Sequence, residues 1–213
     1  MKIICVGMNY PAHTREITPI IGHTSSTVDT EGEEPVLFTK GDTPLRTGFP
    51  FFIPDFADRF DYEAEVVVRI SRVGKYIAER FAHRYYKEVT IGIDFTARDL
   101  QQKLVAKGLP WTLAKTFDGS AALGDWMDKD ALEYDLQELP FRLDIDNRTV
   151  QEGNTRDMIF GIDRLVSYAS RFFMLKTGDM IFTGTPAGVG PVHIGQHLTG
   201  YLGEHRLLDL DIK

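Results

Sequence analysis

Asp61-Tyr-Glu-Ala-Glu-Val-Val-Val-Arg-Ile70, "DYEAEVVVRI", decides the fold. Its second half is a β-branched run, Val66-Val67-Val68, which suits a pleated sheet. Side chains alternate along a strand, so Glu63 and Glu65 point to one face, with Cα atoms roughly 6.6 Å apart. Two carboxylates so close repel, and burial increases the repulsion. A divalent cation shared with a third acid would remove that conflict, giving a hard oxygen site for Mg²⁺ or Mn²⁺. The plainer alternative is an edge strand with both acids on its wet face.

Outward from this strand, "MKIICVG" reads as a strand ending at Gly7, followed by a turn and a helical turn in "MNYPAHTREI". Residues 18–34 are polar and loop-like, a candidate lid. "PVLFTK" and "FPFFIPD" read as short strands, and residues 77–87 as a helix with Ile77, Phe81 and Tyr85 on one face. "VTIGID" is a strand ending on Asp94. "TARDLQQKLVAKG" is a helix stopped at Gly108. "LPFRLDIDNRTVQEG" predicts a hairpin around Asp146-Asn147. "IDRLVSYASRFFML" is amphipathic, with Leu165, Ala169 and Phe172 in a stripe, and short strands with glycine turns complete the chain. Strands and helices do not alternate regularly. This predicts an α+β domain over residues 1–213, built on a mixed, rolled sheet with short helices, rather than a doubly wound parallel sheet.

The 213 residues are 43% hydrophobic and 26% charged, ordinary for a globular domain. A net charge of −7 with no basic tract argues against nucleic acid and anionic membrane surfaces as partners. The single cysteine, Cys5, lies in an apolar strand and reads as core. No signal peptide or membrane-spanning run is evident, and the expected location is cytoplasmic.

Four further stretches carry chemical groups. In "IGIDFTARDLQ" Asp94 closes a strand as a helix begins; Arg98 and Gln101 are three residues apart on one face, placed to grip a carboxylate. Asp94 as a helix cap and Arg98 in a surface ion pair are the bland alternatives. In "KGLPWTLAKTFDGSAALG" Lys115 sits among apolar residues, either snorkelling or neutralising an anion. His13 and Glu16, in "HTRE", have the spacing of a carboxylate–imidazole pair, which also suits an ordinary surface pair. "GTPAGVG" is a glycine loop carrying Thr185, and it lacks the ending of a Walker A loop.

In this order, "GMNYPAH", "EPVLFTK", "DYEAEVVV", "GIDFTARDLQ", "KGLPWTLAK" and "GTPAGVG" resemble the fumarylacetoacetate hydrolase superfamily from about residue 6 to residue 190, most closely its single-domain acylpyruvase and oxaloacetate decarboxylase branch. The resemblance implies a fumarylacetoacetase C-terminal-domain-like β-roll, paired as a homodimer. It implies Glu63, Glu65 and Asp94 as ligands of Mg²⁺ or Mn²⁺, His13 and Glu16 as a water-activating dyad, and Lys115 as the group polarising the reacting oxygen. Arg98, Gln101 and Thr185 would hold the carboxylate of a small anionic keto acid, with Lys40 nearby. The implied reaction is hydrolysis of a C–C bond in short 2,4-dioxo acids through a pyruvate enolate. Oxaloacetate decarboxylation and isomerisation of an unsaturated 2-oxo diacid are enzyme alternatives, and a binding module with a structural ion is the non-enzyme one. Position 8 is Met where acylpyruvase-type relatives carry Arg, and Pro11-Ala12 replaces an acid-containing pair.

Overall fold

In the computed structural model, residues 1–21, 34–45 and 47–213 are described, the side chains of residues 19–21 excepted. The chain runs β1 (Ile3–Gly7), α1 (Pro11–Ile21), β2 (Val36–Lys40), β3 (Phe60–Tyr62), β4 (Ala64–Ile70), β5 (Tyr86–Asp94), β6 (Thr96–Ala97), α2 (Arg98–Ala106), α3 (Thr112–Lys115), β7 (Ala121–Leu123), β8 (Met127–Asp128), β9 (Pro140–Ile145), β10 (Arg148–Asn154), α4 (Ile162–Phe172), β11 (Met180–Phe182), β12 (Gly190–Pro191), β13 (His197–Leu202) and β14 (His205–Asp211).

The large sheet is ordered β2-β1-β11-β4-β5-β7, with β8 also on β5. Its β1–β11 pair is parallel and its other pairs are antiparallel, so the sheet is mixed, as expected. A four-stranded sheet, β10-β9-β13-β14, and a small one, β12-β3-β6, complete the roll. The strand of the opening motif lies inside the large sheet, not at its edge. Val66, Val67 and Val68 are fully buried, and the pleat sends them to opposite sides: Val66 and Val68 to the main core, Val67 to a smaller cluster with Ile3, Cys5 and Phe182. Cys5 is core, and burial pushes its thiol well above its ordinary range.

Two local expectations hold in detail. Asp146 and Asn147 have φ of 49° and 64°, the left-handed pair that a two-residue hairpin between β9 and β10 requires. After α2, Gly108 takes φ 65°; its N–H donates to Val105 O, and that of Leu109 donates to Leu104 O, which satisfies the last carbonyls.

Other expectations fail for identifiable reasons. "FPFFIPD" is not a strand: Phe51 alone bridges to Ile212, because Pro50 and Pro54 have no N–H for a ladder. The 77–87 helix is a 3₁₀ segment, Glu79–Arg84, and Phe81 on its outer side is 39% exposed. The chain is drawn into β5 at Tyr86, whose hydroxyl donates to Asp163. On α4 Leu165 and Ala169 are buried as expected, together with Ile162, Val166 and Tyr168, whereas Phe172 is 54% exposed at the helix end. Residues 18–21, read as loop, close α1, and the lid expected over 18–34 lies mostly outside the described residues. Among the described residues no helix is long and apolar enough to cross a membrane.

Candidate active site

The β4–β5 register sets Glu65 opposite Gly92, and the N–H of Asp94 donates to Glu63 O at 2.8 Å. A Cβ at position 92 would lie 2.8 Å from both Phe182 and Val67 side chains, so only glycine lets the strands close here. The result brings Glu63, Glu65 and Asp94 together: one carboxylate oxygen from each lies within 4.8 Å of the others, and all three residues are buried. The wet-edge alternative is excluded.

Buried acids require counter-charge. Lys115, at the end of α3, donates from Nζ to Glu63 Oε2 (2.7 Å), Asp94 Oδ2 (2.9 Å) and Thr96 Oγ1 (2.6 Å). It neutralises anions rather than snorkelling. Burial alone would lower its pKa, but Asp94 and Glu63 outweigh that and hold the ammonium protonated. Arg98 donates from Nε to Asp61 (2.8 Å), from Nη1 to Gln101 Oε1 (2.6 Å) and from Nη2 to Glu63 Oε1 (2.5 Å). Burial opposes ionisation of Glu63, yet Lys115 and Arg98 hold its carboxyl well below the ordinary range. Lys40 is fully enclosed behind Asp94 and does not line the cavity. Its Nζ hydrogen-bonds the carbonyls of Phe95 (3.2 Å) and Lys115 (2.7 Å) and lies 2.6 Å from Asp94 Oδ1. That last approach is a charge contact without hydrogen-bond alignment, so Asp94 Oδ1 is left without a directed donor.

Glu65 is the exception among these acids. It has no cation in ion-pair contact among the described residues and takes one N–H, from Gly184 at 2.6 Å. Gly184 stands at φ 103°, where a Cβ would meet Asn9 Cβ at 2.8 Å, so glycine permits this approach. Burial, then the charge of Asp94, pushes the Glu65 carboxyl well up.

α1 brings His13 to the cluster, with Glu16 beside it. His13 is buried and lines the same cavity; its Nδ1 is 3.3 Å from Glu16 Oε2. Glu16 also accepts from Gly188 N–H, and the bond to His13, stronger than the opposing effect of burial, lowers its pKa. An ionised Glu16 accepts from Nδ1–H and leaves Nε2 as the basic nitrogen. Arg98, Gln101 and Thr185 line the cavity as well. The Thr185 hydroxyl is already engaged, donating to Ala64 O (2.9 Å) and accepting from Gln151 Nε2 (2.9 Å).

The sequence reading missed Asp61 and Gln151. Asp61 is fully buried and anchors Arg98; the signal was present, since Asp61, Glu63 and Glu65 alternate along one extended stretch. Gln151 accepts from Ala64 N–H and donates to Thr185 and Pro186, tying β4 to the glycine loop, and nothing local in the sequence marks it.

The cluster fits a divalent cation of the Mg²⁺ or Mn²⁺ kind. Three hard oxygen donors converge, and one of them, Glu65, has no cationic partner among the described residues. The profile of the family described as fumarylacetoacetate (FAA) hydrolase C-terminal matches residues 2–211. The chain belongs to the fumarylacetoacetate hydrolase family. A mitochondrial oxaloacetate tautomerase, FAHD1, of Arabidopsis thaliana is 38% identical over 199 residues, covering 93% of this chain and 84% of that protein. The oxaloacetate tautomerase YcgM of Escherichia coli is 35% identical over 207 residues, covering 97% and 90%. A solved structure of fumarylpyruvate hydrolase from Pseudomonas aeruginosa, in complex with Mn²⁺ and pyruvate, superposes with a TM-score of 0.84 at 30% identity, covering 100% and 89%. Membership in the fumarylacetoacetate hydrolase family makes the chain an enzyme of keto-acid chemistry, with a buried acidic triad suited to a divalent metal.

Proposed function

We propose that this chain forms and protonates the enolate of a short 2-keto acid, with Glu63, Glu65 and Asp94 holding Mg²⁺ or Mn²⁺. The observation that carries this reading is Glu65, a buried carboxylate beside Asp94 whose missing counter-charge a cation supplies. When bound, the ion would act as a Lewis acid toward the keto acid's carboxylate and 2-oxo groups. Lys115 lies against two of the three acids and would donate to the oxygen on which enolate charge develops. His13 Nε2, with Glu16 fixing the opposite ring nitrogen, would take the proton from C3 and return it at the 2-oxygen. That is keto–enol tautomerisation, the activity named for the relatives at 35–38% identity.

Hydrolysis of acylpyruvates is the second reading, supported by likeness to the fumarylpyruvate hydrolase. There His13 would deprotonate water, hydroxide would add to the distal carbonyl, and the C3–C4 bond would break. The departing enolate takes up a proton to give pyruvate beside a carboxylic acid. Both readings use one enolate, a small anionic substrate and, from the resemblance, a homodimer. The test follows enol–keto conversion of oxaloacetate and loss of acetylpyruvate spectrophotometrically, in chelator and then with Mg²⁺ or Mn²⁺. Metal-dependent turnover that falls about 10²–10⁴-fold in His13→Ala is expected. Undiminished turnover in excess chelator would remove the metal; undiminished turnover in His13→Ala would remove the base.

A further inference from the structure

Ala64 lies between Glu63 and Glu65, so its peptide groups set how those two acids stand to one another. Its N–H donates to Gln151 Oε1 (2.9 Å), and its C=O accepts from the Thr185 hydroxyl (2.9 Å). The carbonyl of Val66, two residues along on the same side of β4, accepts from Thr183. The neighbouring strand there, β11, pairs with β4 from Arg69 to Val67 and ends at Phe182. At Ala64 two side chains therefore take the place of a strand, and the buried backbone stays satisfied.

Those side chains are bonded to each other. Gln151 Nε2 donates to Thr185 Oγ1 (2.9 Å) and to Pro186 O (3.0 Å), so both amide hydrogens are engaged. The bonds close a ring from Ala64 N–H through Gln151 and Thr185 back to Ala64 O. Gln151 also reaches Glu65 from its other end. The loop that it holds at Thr185 and Pro186 supplies the Gly184 N–H that bonds Glu65 Oε2 at 2.6 Å.

β10 carries a bulge that aims Gln151 at this place. The register against β9 sets Thr149 opposite Asp144 and Gln151 opposite Leu143, leaving Val150 as the extra residue. In an unbroken strand Thr149 and Gln151 would share a face. The bulge leaves Thr149 exposed and turns Gln151 inward, where it is 2% exposed. The far end of the glycine loop closes on the same bulge: a Cβ at Gly188 would come within 2.7 Å of Val150 O. The N–H of Gly188 donates to Glu16, the partner of His13.

We propose that Gln151 is a positioning residue for the acidic triad: through the Ala64 peptide and the glycine loop it fixes Glu63 and Glu65 for the cation. The inference rests on the metal reading of the cluster and adds a residue that touches neither ion nor substrate. Partners that orient metal ligands in this indirect way are worth about 10–100-fold in metal affinity.

The test is calorimetric binding of Mn²⁺ together with the EPR line shape of the bound ion, which reports the arrangement of its ligands. Gln151→Met, of similar size but without the amide, weakens Mn²⁺ binding about 10–100-fold and changes the line shape. Gln151→Asn keeps the amide on a stem one methylene shorter and gives a smaller loss in the same direction. Leu165→Ala, a buried change on α4 outside the cavity lining, lowers the Tm but moves neither readout. Wild-type affinity and line shape in a folded Gln151→Met, or in Gln151→Asn where the Met variant does not fold, overturns the inference and leaves the metal reading intact. An equal loss in Leu165→Ala, or failure of both Gln151 variants to fold, does the same, because either makes Gln151 a framework residue alone. Absence of Mn²⁺ binding by the wild type removes the metal reading itself and the inference with it.

Discussion

Lys115→Met removes the charge on which the metal-free cluster depends. The lost ammonium makes three short bonds, two of them to buried carboxylates at 2.7 and 2.9 Å. Methionine has similar length, so little packing is lost and the change is mainly electrostatic. Removing one partner of a buried ion pair costs about 3–5 kcal/mol. For a chain of this size that corresponds to a Tm lower by roughly 6–20 °C in chelator. A divalent cation supplies counter-charge to the same two acids, so Mg²⁺ should raise the Tm of the variant more than that of the wild type. At a hundredfold excess over Kd the gain is about 2.7 kcal/mol. The kcat for enolisation falls while the bound ion remains, because the donor to the enolate oxygen is gone. Calorimetric melting in chelator and in Mg²⁺, with kinetics on the same preparations, reads all of this. A variant that melts with the wild type in chelator, or gains less from Mg²⁺, would refute the reasoning.

Glu65→Gln keeps an acceptor for Gly184 N–H and removes the acid that, among the described residues, has no cationic partner. In chelator it melts no lower than the wild type, and Mg²⁺ no longer raises its Tm; a retained Mg²⁺ shift would contradict this. Asp179 concerns stability alone. Burial raises its pKa, but the Lys2 side chain and the main-chain N–H groups of Lys2 and Lys176 outweigh that, so the folded value lies below the unfolded one of about 3.9. Its contribution is present above the unfolded value and lost as pH falls through the folded one. Asp179→Asn therefore costs about 1.5–3 kcal/mol at neutral pH, and the gap closes in acid, as urea melts across pH will show. Asn147→Val forces a β-branched residue into the left-handed hairpin position and costs about 1–2 kcal/mol, whereas Asn147→Gly is nearly neutral by the same measurement.

What could be read before the structure was whatever the chain encodes locally. The Val66–Val68 run, the Asp146-Asn147 turn, the Gly108 stop and the alternation of Glu63 with Glu65 each express a preference of neighbouring residues, and each appears as expected. The burial of the acids was not local: β4 is interior because β11 and β5 flank it, and β11 arrives from far along the chain. Phe81 and Phe172 have helical spacing but end up exposed, because tertiary pairing at Tyr86 and the end of α4 decide which face is covered. Asp61 and Gln151 are partners of partners; their value appears only when Arg98 and Thr185 come across from other elements. Lys40, expected at the substrate, is packed behind Asp94 by β2 at the sheet edge, which is a supporting position.

The central claim, one divalent ion gathered by Glu63, Glu65 and Asp94, is tested most directly by anomalous diffraction from crystals of this chain grown with Mn²⁺. The account predicts a single strong anomalous peak within coordination distance of a carboxylate oxygen from each of the three residues. Fully occupied Mn²⁺ elsewhere, with the triad still closed around Lys115 and no peak among its oxygens, would contradict it.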